Sequence, residues 1–139
     1  MVGGQVLDMQ SEERLCTEQE VLDIQNRKTG ALIRAACMLG VLAGGGTREQ
    51  LNAAAEFATH LGLAFQVRDD VLDVIGDAQT MGKAIGVDKN KNTFVHLHGL
   101  KECSRLISYH TEEAVKALSA FSNNDCMVAL AHQLINRIS

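Results

Sequence analysis

The feature that most constrains the fold is the stretch of residues 61–75, which is apolar on almost every side and yet carries carboxylates. Its sequence reads LGLAFQVRDDVLDVI. A helix that is apolar all round is typical of a position surrounded by other helices, whereas a surface helix keeps one polar face. The stretch therefore predicts a central helix in a helical bundle.

Composition favours the same fold class. The 139 residues contain no proline and only 4% aromatic side chains, while 46% of the residues are hydrophobic. This mixture favours helices and disfavours strand-rich folds that depend on turns. The length suits one globular core, so we expect an all-α bundle in which residues 1–139 form one domain or part of one.

Capping residues and glycines divide the chain into helices. Thr17 followed by Glu20, and Thr47 followed by Gln50, each form a capping-box pattern, and three glycines at 44–46 separate the two. These signals predict helices over residues 17–43 and 47–75. Two more helices are predicted over 99–121 and 125–137, and residues 76–92 are predicted to be a loop or a short helix flanked by loops.

The first of these helices has a predicted apolar stripe. It follows positions 21, 25, 28, 32, 35, 39 and 42, which are spaced alternately by four and three residues. Gln25 and Lys28 interrupt this stripe. Taken alone, a lysine in such a place extends its ammonium to the surface along a buried stem.

Three carboxylates in the central helix indicate a cation site. Asp69, Asp70 and Asp73 fall within about one turn on one flank, and no basic residue lies three or four positions away. Magnesium suits such oxygen ligands and is usually bound by carboxylates together with substrate phosphates, so a diphosphate is the expected additional ligand. Gln66, one turn earlier, is placed to order a metal-bound water. The alternative is a solvated acidic helix face.

Two lysines are candidate phosphate ligands. Beside a magnesium and phosphate site, Lys28 becomes a cation for the remaining phosphate oxygens, and Thr29 adds a hydroxyl donor. Lys83 follows a glycine, but Ala84 stands where a P-loop has Ser or Thr, and no strand precedes it. We therefore expect Lys83 to be a loop cation near the carboxylates.

Charge and cysteine spacing exclude several classes of protein. The formal charge of -4 gives no general attraction for nucleic acid or an anionic membrane. The four cysteines are widely spaced and form no zinc or disulfide pattern, which fits a reducing cytoplasm. The opening residues lack a secretory signal, and no stretch is apolar enough to span a membrane. The scattered histidines are assigned no metal role.

Four strings in this order and spacing resemble the C-terminal half of farnesyl and geranylgeranyl diphosphate synthases, of the trans-isoprenyl (polyprenyl) diphosphate synthase family. The strings are GGQVLDM, KTGALI, LAFQVRDDVLDVIGD and MGKAIGVDKNKNTF. The resemblance covers nearly the whole chain. It implies a helical bundle of the isoprenoid synthase type, of which residues 1–139 are the C-terminal half of a single domain.

The resemblance also implies a reaction and roles for particular residues. In this family, magnesium assists ionisation of an allylic diphosphate, and isopentenyl diphosphate attacks the resulting cation. Asp69, Asp70 and Asp73 would form the second aspartate-rich motif, with Asp69 the direct magnesium ligand and Asp73 acting partly through water. Lys28 and Lys83 would bind the allylic diphosphate. The cavity-lining positions implied are Gln5, Thr29 and Gln66.

The family's first aspartate-rich motif and its isopentenyl-binding residues match nothing in this chain. The resemblance therefore implies that the chain is inactive alone and pairs with an N-terminal half or forms a homo-oligomer. A noncatalytic partner subunit and a helical interaction module that binds diphosphate are the alternatives. Farnesyl and geranylgeranyl products are equally open.

Overall fold

The chain is helical throughout the part that the structure describes. The computed structural model describes residues 1–11, 14–81 and 92–136, with side chains except those of 77–81 and 136. The helices are α1 (Val2–Ser11), α2 (Glu18–Gln25), α3 (Ala31–Ala43), α4 (Arg48–Met81), α5 (Phe94–Ala117) and α6 (Asp125–Asn136). A π-helical turn, Asn26–Gly30, joins α2 to α3, and a 3-10 turn, Leu118–Ala120, follows α5. The all-α prediction is confirmed.

Both predicted capping boxes are present. The Thr17 hydroxyl accepts a hydrogen bond from the Glu20 N–H at 3.3 Å, and the Glu20 carboxylate accepts one from the Thr17 N–H at 2.9 Å. Gln50 and Thr47 make the same pair of bonds at 3.2 and 3.0 Å. Gly45 has φ 68°, which an L side chain rarely adopts, so the glycine break between α3 and α4 is confirmed.

Three predicted helix boundaries were wrong. The opening residues, to which no helix was assigned, form α1. The central helix continues beyond 75 to Met81, because Gly76 does not adopt the left-handed conformation that ends many helices. Helical residues begin at Phe94, before the predicted start at 99, although Gly99 with φ 77° and ψ 162° lies outside the helical region and divides α5 at the predicted place. A glycine marks a boundary only where its backbone leaves the helical region.

The apolar stripe predicted along residues 17–43 was wrong beyond the π turn. Val21 is buried, but Leu32, Leu39 and Leu42 are 59%, 63% and 57% exposed. The positions that face α4 instead are shifted along by one or two residues and include Ile33, Cys37 and Val41. A π turn contains one extra residue. Each residue after it therefore occupies the helix position that a regular periodicity of 3.6 residues assigns to the residue before it.

α4 is the central element, as the sequence predicted. Its first half packs Phe57 and Leu61 against Ala114, Leu118 and Ala131 of the segments that follow it. Its second half packs Val67 with residues of α2 and α5, including Val21, Ile24, Phe94, Val95 and Cys103. A cavity of about 780 Å³ lies between α3, the first half of α4 and α6. The bundle therefore has two apolar clusters along one helix.

A histidine pair joins α4 to α5. His60 Nδ1 lies 2.9 Å from His110 Nδ1, and the Tyr109 ring packs edge-on to both imidazoles. Burial, followed by the nearby His60, lowers the pKa of His110, and Glu113 opposes this shift. Both imidazoles are only half-buried.

Among the described helices, none combines the length and the apolar character that a membrane crossing requires.

Candidate functional site

The site begins where α1 crosses the π turn. Gly4 of α1 is buried, and a Cβ built there would lie 2.5 Å from the Arg27 carbonyl carbon and 2.6 Å from the Lys28 Cα. Only glycine allows this approach. Lys28 then reaches across to α1, where its Nζ lies 2.6 Å from Asp8 Oδ2. Both side chains are about one third exposed, so Lys28 is held in place at the edge of the protein.

A chain of side-chain hydrogen bonds joins the π turn to α4 and α5. The Thr29 hydroxyl donates to Gln66 Oε1 at 3.3 Å, and Gln66 Nε2 donates to Asp70 Oδ1 at 3.2 Å. Asp70 Oδ2 accepts the backbone N–H of Phe94, the first residue of α5, at 2.8 Å. Three segments that are distant in the sequence are therefore fixed to one another.

The three aspartates lie in different environments. Asp70 is 6% exposed, Asp69 is half-buried and Asp73 is exposed. Burial raises the pKa of Asp70 to about 6, although the hydrogen bonds from Phe94 and Gln66 favour the charged form. Burial and the charge of Asp73 raise the pKa of Asp69, and Arg68 opposes them. Asp69 and Asp73 share a flank, as predicted, but the prediction was wrong for Asp70, which turns inward towards α5 because its carboxylate accepts the Phe94 N–H.

The outward carboxylates suit a hard cation, although they do not form a complete binding site. Within residues 1–11, 14–81 and 92–136, no group of three or more His, Cys, Asp or Glu side chains is arranged to hold a metal ion. Asp69 and Asp73 repel each other, which is the electrostatic condition that a cation relieves. Magnesium is commonly held by one or two carboxylates, with water and phosphate completing its shell. The pair fits that role.

The other predicted residues differ in how closely they join this cluster. Thr29 and Gln66 are in direct contact, and Lys28 lies in the same turn as Thr29. Gln5 is exposed on α1, one residue after the close approach at Gly4. Lys83 lies outside the described residues.

Sequence reasoning missed two groups that hold this site together. Asp8 pairs with Lys28 across twenty residues, and the Phe94 N–H binds Asp70 across 24 residues. No local pattern links such distant groups. The one available signal was the Gly3–Gly4 pair before Asp8, because adjacent glycines within a helix often mark a close approach of another backbone.

Comparisons with known proteins identify the family to which the chain belongs. The family model described as polyprenyl synthetase matches residues 1–133. The chain is 37% identical over 141 aligned residues to the geranylgeranyl diphosphate synthase of Cyanophora paradoxa, covering 99% of this chain and 47% of the relative. It is 38% identical to the farnesyl diphosphate synthase of Escherichia coli, with 99% and 48% coverage. The chain spans about half the length of the curated relatives it matches.

Solved structures show the same partial coverage. An FPP/GFPP synthase from Zymomonas mobilis, solved without ligand, aligns with a TM-score of 0.81 at 27% identity, over 96% of this chain and 45% of that one. A geranyltransferase from Helicobacter pylori, complexed with magnesium and isoprenyl diphosphate, aligns with a TM-score of 0.73 at 30% identity, with 98% and 46% coverage. The fold of this chain is therefore that of about half of such an enzyme.

Proposed function

The chain belongs to the polyprenyl synthetase family, and we propose from this premise that residues 1–139 are the C-terminal half of one prenyltransferase domain. The proposed reaction condenses isopentenyl diphosphate with an allylic diphosphate to give a farnesyl or geranylgeranyl product. The allylic carbon–oxygen bond breaks, and diphosphate leaves with the electron pair. The double bond of isopentenyl diphosphate then attacks the allylic carbon, and a proton is lost.

One observation carries this proposal, the hydrogen bond between Thr29 and Gln66. It brings the turn that contains Lys28 and Thr29 against the turn of α4 that precedes Asp69. A cationic turn beside a carboxylate pair is the arrangement that a diphosphate with a bound divalent ion requires.

In the proposed site, Asp69 would hold magnesium directly and Asp73 would act partly through water. The bound ion would stabilise negative charge on the departing diphosphate. Asp70 is left out of this set because it is buried and faces the start of α5, away from the flank of Asp69 and Asp73.

The remaining charge on the diphosphate is assigned to the lysines. Lys28 would exchange its contact with Asp8 for a phosphate oxygen or make both contacts, and Lys83 would supply a second cation. Thr29 would donate a hydrogen bond from its hydroxyl to the diphosphate. Gln5 and Gln66 would line the substrate cavity. Such donors favour departure of diphosphate most strongly in a site from which water is excluded.

The exposed apolar face of α3 supports the proposal that this chain acts with a complementary segment. Leu32, Leu39 and Leu42 are each more than half exposed. Apolar patches of this kind mark surfaces that are covered by another part of an assembly. We propose that an N-terminal half, or a second copy of the chain, packs there, and that the chain alone does not turn over substrate.

The free cysteines of the chain fit a cytoplasmic location, which we propose for the protein.

Thermal shift with magnesium and inorganic diphosphate tests the binding part of this proposal. We expect the melting temperature of the wild-type chain to rise by about 9 °C at a hundredfold excess over Kd. Asp69→Asn should lose most of this rise, and Glu56→Gln, an exposed carboxylate on the same helix, should keep it. An equal rise in wild type and Asp69→Asn would remove Asp69 from the site.

Isopentenyl transfer tests the catalytic part. We expect no product from the purified 139-residue chain, and product after addition of the N-terminal half of a farnesyl diphosphate synthase relative. Turnover by the homogeneous chain alone would show that the other half is dispensable. Diphosphate binding without turnover in either case would favour a noncatalytic partner subunit.

A further inference from the structure

We infer that Asp70 is a positioning residue, which fixes the Thr29 turn and the start of α5 against the carboxylate end of α4, and is not a ligand of the metal ion. The inference deepens the proposed function and rests on it, since the fixed position matters for a diphosphate site. Asp70 points into the protein, and only 6% of it is exposed. Its neighbours Asp69 and Asp73 are open to solvent to a greater degree.

The contact with α5 argues against a metal at Asp70. The Phe94 N–H is one of the backbone donors at a helix start that have no partner within the helix. Asp70 Oδ2 satisfies this donor at 2.8 Å, while Thr93 caps the His96 N–H at 3.2 Å. A magnesium ion, which keeps several waters, would have to enter this buried contact to reach Asp70, and loss of the Phe94 hydrogen bond there would leave a buried donor without a partner.

Asp70 reaches the π turn through Gln66. Because the Gln66 carboxamide is planar, the direction of its amine towards Asp70 Oδ1 sets the direction of its carbonyl towards the Thr29 hydroxyl. Without an acceptor at position 70, Gln66 is free to rotate and Thr29 loses its fixed partner. The turn that carries Lys28 would then lose this hydrogen-bonded link to α4.

Replacement of Asp70 by asparagine separates the two possible roles. An asparagine can still accept from the Phe94 N–H and can donate to Gln66, provided that Gln66 flips and donates in turn to the Thr29 oxygen. Every contact of the network then survives while the negative charge is lost. A metal ligand cannot lose its charge in this way without a large loss of affinity.

The test is isothermal titration of the 139-residue chain with inorganic diphosphate in the presence of magnesium, at a temperature at which every variant is folded. We expect Asp70→Asn to raise Kd by less than threefold and Asp70→Ala to raise it at least tenfold. Asp69→Asn should raise it at least tenfold as well. Rescue by asparagine at position 70 alone is the signature of positioning.

Two results of the titration would overturn the inference. Equal losses in Asp70→Asn and Asp69→Asn would make Asp70 a metal ligand, and wild-type affinity in Asp70→Ala would leave it a purely structural residue. If the wild-type chain binds no diphosphate, the proposed function fails, and amide exchange decides the inference separately. Faster exchange at Phe94 and a shifted Thr29 resonance in Asp70→Ala, but not in Asp70→Asn, would support it, and unchanged signals would refute it.

Discussion

The two halves of α4 differ in how they contact the rest of the protein. The first half contacts its neighbours mainly through apolar side chains such as Phe57 and Leu61, which are almost fully buried. The second half has an apolar face of its own but adds Gln66 and Asp70, whose hydrogen bonds reach two other segments. Apolar burial stabilises the fold, whereas a buried carboxylate with a raised pKa opposes folding at neutral pH. Stability and site organisation are therefore separated along one helix.

The largest effect should come from the apolar half. Phe57 is 1% exposed, so Phe57→Ala would remove its burial and leave a cavity, lowering the free energy of unfolding by about 3 to 5 kcal/mol. Urea unfolding measures this loss. Leu39→Ala is the matched control, because Leu39 is 63% exposed and its loss should change stability by about 0.5 kcal/mol or less. Equal losses in the two variants would show that α3 is covered in solution.

A smaller effect is expected at Asp70. Burial raises its pKa from 3.8 to about 6, so between these values the folded chain holds a proton that the unfolded chain has released. This contribution to stability is therefore greatest at low pH and declines as pH rises through 6, by about 2 to 3 kcal/mol in all. Unfolding at pH 4.5 and 7 in metal-free buffer should show the decline in wild type. Its persistence in Asp70→Asn would assign it to another group.

The smallest effect, of opposite sign, is expected at His110. Its pKa is lowered by burial and by His60, so the unfolded chain takes up a proton more readily. The stability that the folded chain gains from keeping His110 neutral is complete above the ordinary histidine pKa near 6.5. It is lost as pH falls through that value towards the lower pKa of the folded chain. His110→Gln should reduce this loss, and His132→Gln, an exposed position on α6, should not. If His110→Gln leaves the profile unchanged, the histidine pair contributes nothing to it.

The sequence predicted what local patterns can encode. Thr17 with Glu20 and Thr47 with Gln50 lie within one turn of each other, so their capping boxes are visible in the sequence and are present in the structure. A search for a regular periodicity of 3.6 residues cannot detect a π turn, so the burial of residues after Gly30 was predicted wrongly. The Asp70 contact with Phe94 depends on the fold as a whole. The roles of the carboxylates and lysines remain predictions.

The π turn at Asn26–Gly30 has a consequence for how changes in chain length would act. In the sequence, residues 17–43 fit one continuous helical periodicity. In the structure they form two helices whose periodicities are offset by one residue at this turn. Deletion of one residue here would remove the extra residue of the π turn and leave a regular α-helix, in which Ile33, Cys37 and Val41 keep the face towards α4. Deletion of one residue within α3 itself would instead rotate the residues after it by about 100°. The π turn therefore marks the place where this segment can lose one residue without changing which apolar face is available for assembly.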